Sequence, residues 1–185
     1  MSFISVHKLA KRYNDVTVFE NLSFEVAAGE FVAVVGESGV GKSTLLNCLG
    51  GLDDWTAGSI SIGGAQLDSM DSDARALWRR AAVGFVFQAF HVLPHLDVAQ
   101  NVALPLMLLG QHDAVRVHAT LQAVGLGDLG ARLPQQLSGG NLQRGVIARA
   151  SINGPQLSLA EETTGNLDPS TAAKAPPIAS RRPTS

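Results

Sequence analysis

A single cysteine, Cys48, is all that the 185 residues contain, which rules out an internal disulfide. Its place in an apolar stretch is that of a small buried hydrophobe, and a reducing compartment fits. Neither sign of charge is in excess: 14 Lys+Arg stand against 16 Asp+Glu for a net of −2, so no basic field recommends a nucleic acid and none is expected as partner. Long hydrophobic runs are missing as well. The longest, Val102 to Leu109, falls far short of the about 20 residues that cross a bilayer. Met1 to Tyr13 alternates polar and apolar residues and forms no secretory h-region. A role at a membrane is therefore expected to pass through another subunit. There is no internal repeat, and the length suits one hydrophobic core with a small subdomain, not two full domains.

Glycine, in contrast, is plentiful and grouped. Gly36-Glu37-Ser38-Gly39-Val40-Gly41-Lys42-Ser43 fits the phosphate-loop pattern G-x-x-x-x-G-K-[ST]. Ahead of it Phe31-Val32-Ala33-Val34-Val35 is an unbroken, β-branched run of the kind expected for a strand buried on both faces, and Thr44 to Leu49 follows with helical character. The reason for the pattern is electrostatic. Glycines at 36, 39 and 41 open backbone conformations closed to other residues, so that several N–H groups between Gly36 and Thr44 aim at phosphate oxygens. They do so at the start of a helix whose dipole also favours negative charge. Lys42 is expected to reach the β- and γ-phosphates, and the Ser43 hydroxyl to ligate Mg²⁺. The expected ligand is a nucleoside triphosphate.

Around this loop the pattern is α/β. Phe3 to Val6, Leu22 to Val26 and Gly58 to Gly64 alternate as half-buried strands, suggesting an antiparallel layer beside a parallel core. Asp71 to Arg80 predicts a helix capped by Asp71 or Ser72, and Val83 to Phe87 a buried core strand. Helical character then dominates: Asp97 to Leu109, kinked or ended by Pro105, Asp113 to Val124, and a helix opening near Ser138. Leu157 to Ala160 is a last short strand ending in two carboxylates, and the proline- and arginine-rich stretch beyond Asp168 predicts loss of order.

Leu137-Ser138-Gly139-Gly140-Asn141-Leu142-Gln143-Arg144 puts a serine and two glycines at a helix start, a second place where a hydroxyl and free N–H groups can grip a γ-phosphate. With the phosphate loop before it, this segment resembles the signature motif of ATP-binding-cassette (ABC) ATPases. In that family the gripped phosphate belongs to the ATP of the opposite subunit, so the resemblance implies a homodimer in the ATP-bound state. Tyr13 resembles the aromatic that stacks on adenine, and Gly165-Asn166-Leu167-Asp168 the D-loop. Gln88 resembles the Q-loop glutamine that touches Mg²⁺ and the attacking water, and Glu162 matches the general base. Phe90, Leu93-Pro94, Asn101-Val102 and Leu104-Pro105-Leu106 look like the branch that holds lipoprotein-releasing and macrolide-exporting ATPases.

The resemblance, which runs from about Phe3 to Asp168, implies a phosphate-loop NTPase (RecA-like) core with an antiparallel β layer and an inserted α-helical subdomain. The expected organisation is 1–88 for the nucleotide-binding core, 89–151 for the helical subdomain, 152–168 for the return to the core, and 169–185 for a disordered tail. It implies ATP and Mg²⁺ as cofactors, a transmembrane permease as partner, and a cytoplasmic, peripheral position on the inner face of the membrane. Leu93 to Leu109 reads either as part of the permease interface or as packing of the subdomain.

Three positions depart from the family pattern. Glu161 stands where an aspartate would ligate magnesium, and near-ideal octahedral geometry at about 2.0–2.1 Å leaves little room for an extra methylene. Ser158 places a hydroxyl in what should be an apolar strand, at about 1–3 kcal/mol if buried unpaired. Gly145 weakens the signature helix by roughly 0.5–1 kcal/mol relative to alanine. The family continues past the D-loop to a further core strand and a switch histidine, whereas no histidine follows His118 here. Core strands at the C-terminus are expected to be missing. The expectation is an ATPase subunit energising export or lipoprotein release, impaired in hydrolysis; the alternatives are a remnant that binds ATP weakly or not at all, and a soluble cassette ATPase of DNA repair or translation. Tandem cassettes or basic arms would favour the last, and neither is present.

Overall fold

The structure, a computed structural model, describes residues 2–87 and 91–161. β1 (Ser2–Tyr13) and β2 (Val16–Ala27) form an antiparallel hairpin, with Asn14 left-handed in the turn between them. β3 (Ala57–Ile62) pairs with the other edge of β1, and β4 (Ala65–Gln66) completes a sheet ordered β2-β1-β3-β4. This is the expected antiparallel layer. Its strands are longer than the alternating runs suggest, because hairpin pairing carries polar residues along with the buried ones.

An irregularity in β1 decides what the strand can do. Ile4 and Val6 are buried, but so are Leu9 and Lys11, so the two-residue period slips by one between them. Lys8 sits there at φ 47, and the pairing of β1 shifts register on both sides. This is a bulge: the extra residue returns Leu9 and Lys11 to the covered face. Across from it a Cβ on Gly58 would fall 2.5 Å from the Lys8 carbonyl oxygen and 2.6 Å from that of His7, so only glycine admits this backbone approach.

Two helices follow. α1 (Lys42–Leu49) buries Leu45, Cys48 and Leu49, and α2 (Ser72–Ala82) is capped by Asp71, whose carboxylate accepts from the Ala74 amide at 2.8 Å. β5 (Val83–Val86) and β6 (Leu157–Ala160) form a separate two-stranded sheet.

Two expectations about strands are overturned here. Phe31 to Val35 is neither a strand nor buried: Phe31 is 83% and Val35 88% exposed. An apolar run is driven inside only where strands flank it and layers cover it, and no described strand pairs with this one. Ser158 is exposed while Leu157 and Leu159 are buried, so its hydroxyl meets solvent and carries no burial penalty. With one face covered, β6 alternates.

Residues 2–84 with 156–159 make one compact unit, and 85–155 with 160–161 another. In the second, α3 (Val98–Leu108), α4 (Ala114–Ala123) and α5 (Gly139–Ser151) surround an apolar cluster. Val98, Val102 and Leu106, at helical spacing, pack there with Val117, Leu121 and Ile152. Asp97 starts α3 through a reciprocal capping box with Gln100. Pro105 does not end α3, which runs on to Leu108; the buried stripe on either side holds the helix through the missing N–H. No helix among the described residues is long and apolar enough to cross a membrane.

Asn101, 4% exposed, ties the preceding loop to α3: its Oδ1 accepts from the Leu93 amide at 2.8 Å, and its Nδ2 donates to the carbonyls of Leu93, Leu96 and Asp97. Asn101→Ala leaves these groups without partners and is expected to lower stability by about 2–3 kcal/mol in urea titration. Gly145→Ala is expected to act oppositely. Its new methyl meets only Leu126 Cδ1 at 3.8 Å, and the gain should be about 0.5–1 kcal/mol in the same titration.

Candidate functional site

The phosphate-loop segment, residues 36–43, is exposed from Gly36 to Val40 and closes against the sheet at Gly41. Gly41 is the N-cap of α1 at φ 99 and ψ 13, and a Cβ there would lie 2.5 Å from Val18 Cγ1 of β2. Glycine therefore meets two demands at once, a left-handed backbone and contact with the hairpin. No side chain caps α1, and its first turn carries no acidic residue. The free N–H groups and the positive end of the dipole are left facing the open loop, a setting that favours an anion.

Lys42 folds back over the loop. Its Nζ donates to the carbonyls of Gly36 and Glu37, each at 2.7 Å, so the ammonium sits where the loop carbonyls converge. Ser43, exposed, and Thr44, half-buried, occupy the first turn behind it. Gly36, Glu37, Ser38, Gly39, Val40, Gly41, Lys42, Ser43 and Thr44 thus form one continuous segment that leads into α1, although the strand expected ahead of it is absent.

Tyr13 belongs to the same unit, at the exposed end of β1. Its hydroxyl donates to Asp53 Oδ2, and the Lys11 ammonium lies over its ring 4.3 Å from the centroid. Lys11, 6% exposed, also donates to Asp53 Oδ1 at 2.8 Å and to the Asp54 carbonyl at 2.6 Å. Burial pushes the Asp53 carboxyl upward, but the hydrogen bonds from Lys11 and Tyr13 outweigh it and hold the group below its ordinary value. The Tyr13 phenol is raised, first by its bond to Asp53, with Lys11 and the Thr44 hydroxyl pulling the other way. Neither Lys11 nor Asp53 was expected among the site residues. The spacing of Lys11 and Tyr13, two apart on one strand, was a signal for a shared face; nothing local points to Asp53.

The signature segment lies in the other unit. Ser138 caps α5, its Oγ accepting from the Asn141 amide at 3.3 Å, and Ser138, Gly139 and Gly140 are exposed. A Cβ on Gly139 or Gly140 would meet nothing within 4 Å, so no packing inside the chain demands glycine at either position. Farther along α5, Arg149 donates to the His91 carbonyl at 2.8 Å, and burial lowers the pKa of its guanidinium. That bond fastens the signature helix to the segment entering the subdomain. Glu161 stands at the end of β6, half-buried, its amide bonded to the Val86 carbonyl at 3.0 Å. Gln88, Glu162 and Asp168 lie outside the described residues. Among the described residues no cluster of three or more His, Cys, Asp or Glu is arranged to hold a metal.

The ABC transporter family profile matches residues 19–165. The macrolide export ATP-binding/permease protein MacB of Burkholderia pseudomallei (strain K96243) is 47% identical over 157 residues, covering 83% of this chain and 24% of that protein. MacB 1 of Yersinia pestis is 48% identical over 156 residues with the same coverage. The chain thus spans about a quarter of the length of the curated relatives it matches, 24%. Among solved structures, the dimeric bacterial ABC transporter cassette MJ0796 has a TM-score of 0.82 at 36% identity, covering 92% of this chain and 78% of that one. A post-hydrolysis dimer of the same cassette, bound to ADP and Pi, also gives 0.82, at 35% identity.

A carboxyl held below its ordinary value stabilises the fold above its unfolded pKa, and that contribution disappears as pH falls through the folded value. The Lys11–Asp53 pair should therefore add stability that is lost from about pH 4 downward. Urea midpoints measured across that window should fall for the parent chain and fall less for Asp53→Asn.

Proposed function

This chain belongs to the ABC transporter family and has its ATPase fold, a phosphate-loop NTPase with an antiparallel sheet and a helical subdomain, and on that footing we propose that it binds ATP with Mg²⁺ and serves as the nucleotide-binding part of a transporter. The observation that carries the reading is the start of α1: an uncapped helix end, reached through a left-handed glycine, with a lysine folded over the loop mouth.

On nucleotide binding, Lys42 exchanges two neutral carbonyl acceptors for anionic phosphate oxygens, and the new bonds are charge-assisted. The N–H groups of the loop and of the first turn of α1 take the remaining phosphate oxygens. Magnesium takes hard oxygen donors, and the exposed Ser43 hydroxyl beside the loop is one of that kind. When bound, the ion supplies neutralisation of phosphate charge. Tyr13 is the platform for adenine, Glu162 the general base, Gln88 the residue that positions the attacking water, and Asp168 a contact at the junction of two nucleotide-bound copies.

MacB is an export ATP-binding/permease protein, and MJ0796 is a dimer. By likeness to these we assign to this chain a permease partner at the inner face of a membrane and a nucleotide-sandwich dimer. In that dimer Ser138, Gly139 and Gly140 of one copy reach the γ-phosphate held by the other. The open space around both glycines supports that role, because it leaves room for another body to approach the backbone. The work expected is export or lipoprotein release, with an amphiphile such as a macrolide or lipoprotein as cargo.

Calorimetric titration of the full chain with ATP and Mg²⁺ tests the phosphate site. Lys42→Ala, which removes a charged donor worth about 1.5–3 kcal/mol, is expected to weaken ATP binding at least about tenfold. Unchanged affinity in that variant would sink the assignment.

A further inference from the structure

A tyrosine at the end of a strand, 48% exposed, would ordinarily swing about its side-chain torsions. Tyr13 does not have that freedom. Its hydroxyl is held by Asp53 and one face of its ring lies under Lys11. The geometry points to Lys11 and Asp53 as positioning residues that fix Tyr13 as a one-sided platform for the purine base of the bound nucleotide. The inference rests on the reading that the phosphate loop and Tyr13 take up ATP.

Three observations carry it. Lys11 is buried and held at 2.8 Å by Asp53 Oδ1 and at 2.6 Å by the Asp54 carbonyl, so the cation cannot leave the ring without breaking both bonds. A desolvated cation over one π-face occupies that face and leaves the opposite one for a planar partner. Second, Lys11 reaches this place only because the bulge at Lys8 turns it to the covered side of β1. Third, Asp53 is joined to α1, its amide and that of Leu52 both donating to the Asn47 carbonyl. The helix that opens at the phosphate loop therefore also anchors, just past its other end, the group that holds the ring. Base platform and phosphate cradle are built on one rigid piece, which sets the spacing between them before any ligand arrives.

The test uses the full chain with two probes, ATP and inorganic tripolyphosphate, each with Mg²⁺. Tyr13→Ala, Lys11→Met and Asp53→Ala should each lose about tenfold in ATP affinity, the scale of one lost base stack, and keep tripolyphosphate affinity within about twofold. Where Asp53→Ala does not fold, Asp53→Asn removes the charge at constant shape and should show the same split to a smaller degree. Equal losses for both probes, or full ATP affinity in Lys11→Met and Asp53→Ala beside a weakened Tyr13→Ala, would overturn the inference and leave the ATP reading standing. If Tyr13→Ala binds ATP as the parent does, the base-platform reading itself falls. A second readout is direct, because Tyr13 is the only tyrosine in the chain. Its phenolate absorbance should appear above the ordinary tyrosine range in the parent and move down in Asp53→Ala; an unmoved titration would overturn the Asp53 contact.

Discussion

Everything in the site depends on how α1 begins. A helix that starts without a side-chain cap leaves donors and positive potential exposed, which is a cost unless something negative fills the place. Here the start is reached through Gly41, whose left-handed backbone and contact with Val18 exclude a side chain. The Lys42 ammonium meanwhile satisfies the Gly36 and Glu37 carbonyls. The loop is thus braced on its oxygen side and open on its nitrogen side. That arrangement favours negative charge, which is what the proposed triphosphate brings.

The signature segment is built on a different balance. Ser138 satisfies one orphan amide of α5, that of Asn141, so that helix start is less hungry for an anion than the start of α1. Its two following glycines stand in the open, and the helix behind them is tied down by Arg149. The start of α1 is left uncapped by any side chain and the start of α5 is capped, so the two differ in how strongly they favour an anion. The dimer proposed above makes use of that inequality.

Local chemistry was the legible part of this chain. The cap at Asp71 and the helix starts at Asp97, Asp113 and Ser138 could be read because each capping side chain lies within three residues of the amide it serves. The phosphate loop and the signature were readable for the same reason, being backbone geometries encoded by adjacent glycines. What escaped was whatever needed a distant neighbour. Phe31 to Val35 has the composition of a central strand, yet burial of such a run is a property of its partners, and pairing is not written in its own five letters. Ser158 turned out exposed because β6 has one covered face, a fact of layering. Asp53 meets Lys11 across a separation of 42 residues, and no periodicity announces it.

The bulge in β1 has a bearing on how this chain tolerates change. Substitutions along the strand alter one side chain at a time, and most leave the hairpin's alternation in place. Loss of a single codon at Lys8 would be different in kind. It would remove the extra residue of the bulge, restore an uninterrupted pleat, and leave Leu9, Lys11 and Tyr13 on the same side as Ile4 and Val6. The pairing of Lys11 with Tyr13 would outlast such a deletion, and what would go is the left-handed backbone at Lys8 together with the demand it places on Gly58.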